Sequence, residues 1–270
     1  MRIGLWLKTA LAFAFIVFTQ SLPAQGQAGE AVDLELALLV DVSASVNDKE
    51  YHLQVAGLAT AFRSAAVLDA IRASALRGIA VSVIQWANQA NQRVSMDWTL
   101  IRGEADALGL AAGIASMPRL IHGGHTAISN ALAFAMREIA SNRFAGIRLV
   151  IDLSGDGRNN DGQPLRAVRK EVIDQGITIN GLAILNELPL LDQYFRDHLI
   201  GGERSFFMVA QDYPDFAQAM IEKLVREIGS VPISENETPV PGTETAQGLF
   251  TLPLEDTKAF GIDAPSNGDS

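Results

Sequence analysis

The 270-residue chain contains no cysteine. Disulfides, thiolate metal sites and cysteine nucleophiles are therefore excluded together. Positive charge is also scarce, since 21 Lys and Arg stand against 31 Asp and Glu, for a formal net charge of −10. Without a basic cluster, such a chain repels phosphate backbones. That argues against nucleic acid and anionic membranes as partners and favours cations, metal ions included. No G-x-S-x-G elbow is present, and neither a P-loop nor G-x-G-x-x-G follows a strand, which disfavours serine hydrolysis and nucleotide binding. Past the N-terminus there is no long apolar run, so no membrane span is expected once that segment is removed.

What is present begins with "MRIGLWLKTALAFAFIVFTQSLPAQGQA", residues 1–28. Arg2 and Lys8 supply a positive region, Thr9 to Phe18 an apolar core, and Ala24 and Ala28 small-residue cleavage positions. This is the pattern of a secretory signal peptide cut after Ala24 or Ala28. The apolar core is short for a bilayer span, which takes about 20 residues. Cleavage removes two positive charges and no negative ones, leaving −12. Export to the periplasm is expected, with an extracellular location as the alternative. At the other end, residues 231–270 are rich in Pro, Gly, Thr, Ser and acids, with Lys258 as their sole positive charge. Such a segment buries too little apolar surface to offset its ordering entropy, so a disordered acidic tail is expected.

Between these ends, residues 32–229 alternate. Short apolar runs such as "DLELALLV", "GIAVSVIQWA", "GIRLVIDLSGDG", "ITINGLAIL" and "SFFMVA" read as strands. They are separated by stretches with helical spacing, among them "NDKEYHLQVAGLATAFRSAAVLDAI", "TAISNALAFAMREIASN" and "DYPDFAQAMIEKLVREI". "NQANQ" ahead of "QRVSMDWTLI" suggests a hairpin. Strands that are apolar on both faces and alternate with helices define one α/β domain, a doubly wound, mostly parallel sheet covered by helices. In such folds ligands sit at the carboxyl ends of the strands.

Three polar loops fall at that edge: "DVSASVND" after the first strand, "HGGHTAIS" at a helix start, and "SGDGRNNDG" after "RLVID". Their side chains offer the carboxylates of Asp41 and Asp156 and the hydroxyls of Ser43, Ser45 and Thr126. Oxygen ligands of this kind suit Mg²⁺, Mn²⁺ or Ca²⁺ rather than zinc or copper. The i, i+2, i+4 spacing of Asp41, Ser43 and Ser45 aims all three from one turn. Gly123 and Gly124 permit close approach of the second loop. Each loop also has an ordinary explanation. Ser45, Asn47 and Asp48 can cap the next helix, Thr126 can cap another, and Asp156 can be a turn residue.

Together, "LLVDVSASV", "GGHTAI" and "LVIDLSGDG" resemble the von Willebrand factor type A superfamily, in particular a bacterial exported branch known as a domain of unknown function. The resemblance implies a metal ion-dependent adhesion site. Ser43 and Ser45 would bind the ion directly, Thr126 directly or through water, and Asp41 and Asp156 mostly through waters. Mg²⁺ is the first choice, with Mn²⁺ or Ca²⁺ as alternatives. The partner implied is a protein presenting an Asp or Glu carboxylate, engaged by a monomer or in a transient complex. His125, between the glycines and the threonine, and "GDG" where "TDG" is commoner depart from the pattern without removing a ligand.

The expected function is thus a non-catalytic protein-binding module. A metal-independent structural or assembly factor of the cell envelope and a metal-dependent hydrolase are the alternatives. Asp152 reads as a buried or edge carboxylate without an assigned role. "DGRNNDG" misses the spacing of a calcium loop. His52, His122, His125 and His198 read as structural or surface residues, and Trp86 and Trp98 as packing.

Overall fold

The computed structural model describes residues 29–74 and 77–229. The signal-peptide and tail assignments lie outside the described residues. Strand β1 (Glu30–Asp41) is followed by helices α1 (Asp48–Arg63) and α2 (Ala65–Ser74), then by the pair β2 (Ile79–Trp86) and β3 (Gln92–Ile101). Helices α3 (Glu104–Ala115) and α4 (Ile128–Ser141) lead to β4 (Phe144–Gly155), α5 (Leu165–Asp174) and β5 (Ile177–Ile184). A short α6 (Leu191–Tyr194) continues as a π-helical turn over Phe195–Leu199, and β6 (Phe207–Ala210) precedes the closing helix α7 (Phe216–Gly229).

The strands form a six-stranded sheet in the order β3-β2-β1-β4-β5-β6. All neighbours are parallel except β2 and β3, which pair as the hairpin expected from the sequence. The chain builds outward from β1 in one direction through β2 and β3, then returns to β4 and builds the other way. The switch point therefore lies between the carboxyl ends of β1 and β4, where Val40 registers with Ser154. A crevice opens there because the loops leaving the two strands diverge to opposite sides.

Strand alternation divides the core. Leu34, Leu36, Leu38 and Val40 pack under α1, α2, α3 and α7, while Ala37 and Leu39 face α4, α5 and α6. Trp86 and Trp98 are both buried in the second layer. Helix α7 comes close to α1 at Gly57, where an added Cβ would lie 2.7 Å from the Phe216 ring. The single helix suggested by residues 47–71 is broken at Ser64, whose hydroxyl donates to Ala61 O (2.8 Å) and accepts from Val67 N (3.3 Å). A side chain that closes one helix and opens the next at the same residue makes a kink where periodicity alone reads continuity.

Candidate metal site

Asp41 is the last residue of β1, and its side chain is fully buried. The chain turns at once, and Ser43 N–H donates to Asp41 Oδ1 (2.8 Å). Gln54 of α1 donates to the Asp41 carbonyl (3.0 Å), fixing the strand end against the helix. Asn47 then caps α1, accepting from Glu50 N (3.1 Å) while Glu50 accepts from Asn47 N (2.8 Å). This capping box accounts for Asn47 and leaves the two serines free for other work.

The serines point to the switch point. Ser45 Oγ donates to Asp156 Oδ1 (2.7 Å), and Ser43 Oγ lies 3.2 Å from Ser45 Oγ. Each hydroxyl has one proton, and that of Ser45 is committed to Asp156, so Ser43 is the donor to Ser45. The serine lone pairs are left available. Asp156 sits just beyond β4, fully buried, with its other oxygen accepting from Tyr213 Oη (2.9 Å). Burial and the charges of Asp156 and Asp41 drive the Tyr213 pKa far up, so the phenol remains a donor.

Thr126 is also buried, directly before α4. A Cβ at Gly157 would stand 3.3 Å from its hydroxyl, so the loop of Asp156 passes hard against it. The glycines of "HGGH" are needed for conformation: Gly123 and Gly124 have φ of +72° and +110°. The turn they make lets Gly124 O accept from Ala44 N (2.9 Å), tying the second loop to the first.

The structure thus brings Asp41, Ser43, Ser45, Thr126 and Asp156 to one point. Their electrostatics are unbalanced. Asp41 Oδ2 is buried without a hydrogen-bond partner. Burial first, and the charge of Asp156 second, push the Asp41 pKa up to about 7. A buried polar atom with no partner calls for an explanation, and an ion is among the standard ones. The donor set, three hydroxyls and two carboxylates, suits a hard divalent cation. Among the described residues no group of three or more His, Cys, Asp or Glu could hold a metal.

Sequence reasoning missed several residues that build this site. Helix α4 has no side-chain cap of its own. Its Ser129 N–H is met from the β4–α5 loop, where Asn159 Oδ1 accepts it (2.9 Å), while Asn160 Oδ1 accepts from Thr126 N ahead of the helix (2.8 Å). The "RNND" run is therefore a cap supplied from across the site, and Thr126 is not itself the cap. Arg119 holds the first loop, donating to Val46 O (2.7 Å) and pairing with Asp48 (2.7 Å). Tyr213 carried no signal in the sequence beyond its place before the last helix. Asn159→Ala is expected to destabilise the protein by about 1 kcal/mol, the usual worth of a cap. A urea midpoint that falls at unchanged m-value is the measure.

The doubly wound sheet shares the fold of solved von Willebrand factor type A domains. The chain belongs to the family described as protein of unknown function (DUF1194), which matches residues 31–232.

Solved structures share the fold at low identity. Proximal thread matrix protein 1 from the mussel byssus, with a zinc-occupied MIDAS motif, is 17% identical with a TM-score of 0.54, over 74% of this chain and 46% of that one. The vWF domain of the type V pili tip protein Mfa5 from Porphyromonas gingivalis is 12% identical with a TM-score of 0.53, over 76% and 98%. A von Willebrand factor type A protein from Catenulispora acidiphila is 18% identical with a TM-score of 0.50, over 73% and 42%. The chain spans under half the length of the mussel protein. No curated protein matches it.

Proposed function

We propose that this protein is an exported, non-catalytic binding module that grips a carboxylate of a partner protein through a divalent cation. Asp41, Ser43, Ser45, Thr126 and Asp156 are the proposed cradle, with Mg²⁺ the first choice and Mn²⁺ or Ca²⁺ the alternatives. The observation that carries this reading is Asp41 Oδ2, an acceptor buried without a partner among oxygen donors. Ser43 and Ser45 offer hydroxyl oxygens whose protons already run to Ser45 and to Asp156 respectively, and Thr126 offers a third hydroxyl. A cation held largely by neutral hydroxyls retains positive charge for an incoming Asp or Glu. The mussel protein of the same fold carries a zinc-occupied MIDAS motif, the kind of site proposed here. A hydrolase would pair its serine with a proton acceptor such as histidine. Ser43 instead gives its proton to Ser45. The periplasm is the proposed compartment, and the protein acts there as a monomer or in transient complexes.

Thermal melting tests the cradle. At Mg²⁺ about a hundredfold above its dissociation constant, wild type gains about 2.7 kcal/mol over protein in chelator. That corresponds to a rise of roughly 5–10 °C for a domain of this size. Ser43→Ala is expected to lose the rise. Equal melting temperatures in Mg²⁺, Mn²⁺, Ca²⁺ and chelator overturn the reading and leave a metal-independent structural role in the envelope.

A further inference from the structure

Beside the cradle lies a cavity of about 450 Å³, lined by Leu165, Arg166, Arg169, Tyr194, Asp197 and His198. It opens between the first turns of α5 and the α6–π segment. The loop from Asp156 to Pro164 is the partition between cradle and cavity. On one side Asn160 fixes Thr126, and on the other Asn159 N–H donates to Tyr194 Oη (3.3 Å).

The cavity is positive in a chain that is acidic overall. Its one acid, Asp197, is already engaged by Arg196 (2.9 Å). Arg169 is spent on the carbonyls of Leu199 and Ile200 (3.1 and 3.0 Å). Arg166 is exposed and has no carboxylate partner among the described residues. Neither has Arg158, two residues beyond Asp156, whose guanidinium stands over the Tyr194 ring at 5.4 Å. A guanidinium that meets a ring without spending its N–H groups on an acceptor keeps its fork for a carboxylate. Tyr194 donates to no described residue, and burial raises its pKa, so its hydroxyl proton is available too.

We propose that this cavity is a second acid-binding subsite of the partner surface, in which a further Asp or Glu of the same bound segment sits between Arg158 and Arg166. The proposal rests on the metal-dependent reading of the cradle. Exposed ion pairs are individually weak, so these arginines cannot hold a free small anion tightly. A carboxylate tethered to one already anchored at the cradle is presented at an effective concentration in the millimolar range, which weak pairs can use. The ligand is therefore an acidic segment with two carboxylates at a fixed separation.

A displayed random-peptide library selected on the full chain, in Mg²⁺ and in parallel in chelator, tests this. Peptides retained by wild type only in Mg²⁺ are expected to share two acids at a recurrent spacing. Exchanging one acid for its amide should abolish binding, and exchanging the other should weaken it about 3- to 10-fold. The second, weaker effect should disappear in Arg158→Ala or Arg166→Ala, while the first persists. Mg²⁺-dependent peptides with a single acid, or a second acid that matters equally to wild type and both variants, overturn the subsite and leave the cradle standing. If no peptide binds in a Mg²⁺-dependent way, the cradle reading fails and the subsite falls with it.

Discussion

Between pH 4 and pH 7, metal-free wild type is expected to lose stability relative to Asp41→Asn. The folded-state pKa of Asp41 is raised from 3.8 to about 7 by burial and by Asp156. The folded protein thus holds a proton in this interval that the unfolded chain releases, and stability falls as pH rises wherever the native state binds more protons. The full effect is on the order of 4 kcal/mol, present below pH 4, lost through pH 7 and flat above it. The side-chain amide introduced by Asp41→Asn would keep an acceptor for Ser43 N–H and remove the charge. Saturating Mg²⁺ should reverse the wild-type loss, because the ion takes the place of the proton, and should leave Asp41→Asn unmoved. The wild-type minus variant difference in urea-derived stability, measured at half-unit steps with and without chelator, reads this directly. A difference that stays flat or grows with pH in chelator contradicts the buried-carboxylate account.

Lys223→Met is expected to destabilise the protein by about 3–5 kcal/mol, because it leaves buried Asp152 without its cation and takes one of two from Glu227. Lys223 lies on the inner face of α7, fully buried, with its ammonium 2.7 Å from Asp152 of β4 and 3.5 Å from Glu227 one turn on. Asn180 of β5 donates to both Glu227 oxygens (2.9 and 2.8 Å), and Arg148 pairs with it at 3.5 Å. Two cations and two carboxylates thus cancel across the α7–sheet interface. Without Lys223 only Asn180 and Arg148 are left to oppose the burial that already raises the Glu227 pKa. For a domain of this size the melting temperature should fall by roughly 10–15 °C. The double variant Lys223→Met with Asp152→Leu should recover most of the loss, since replacing both partners of a buried pair by apolar groups is close to neutral. A single-variant change below about 1 kcal/mol would mean that water reaches the cluster.

These residues mark the limits of what the amino-acid sequence discloses. The order of strands and helices was legible because apolar runs end at Gly, Pro and Asn, and the hairpin because its turn is polar. The positions gathered at the switch point were legible for a related reason: each lies at a strand end or a helix start, so topology alone brings them to one edge. Lys223 and Glu227 were not. An i, i+4 charge pair in a closing helix reads as a solvated face, and only Asp152, Arg148 and Asn180, distant in sequence, make it tolerable inside. Asn159, Asn160 and Tyr213 escaped for the same reason, since their work is done entirely through tertiary hydrogen bonds. The kink at Ser64 escaped because one hydroxyl serving two helices leaves the periodicity intact.

The hydrogen bonds that Asn159 and Asn160 make to the segment opening α4 also bear on the order of folding. Thr126 is held by a residue 34 positions later, and Ser45 by a carboxylate 111 positions away. The second contact cannot form until β4 has settled against β1 and the large intervening loop has closed. Contacts across such separations repay their closure entropy late. The cradle is thus among the last features to assemble, and an early, partly folded chain offers a cation nowhere to bind. Interactions absent from the transition state act on the escape from the native state rather than on its formation. An ion held at the cradle would therefore lengthen the lifetime of the finished domain without hastening its birth.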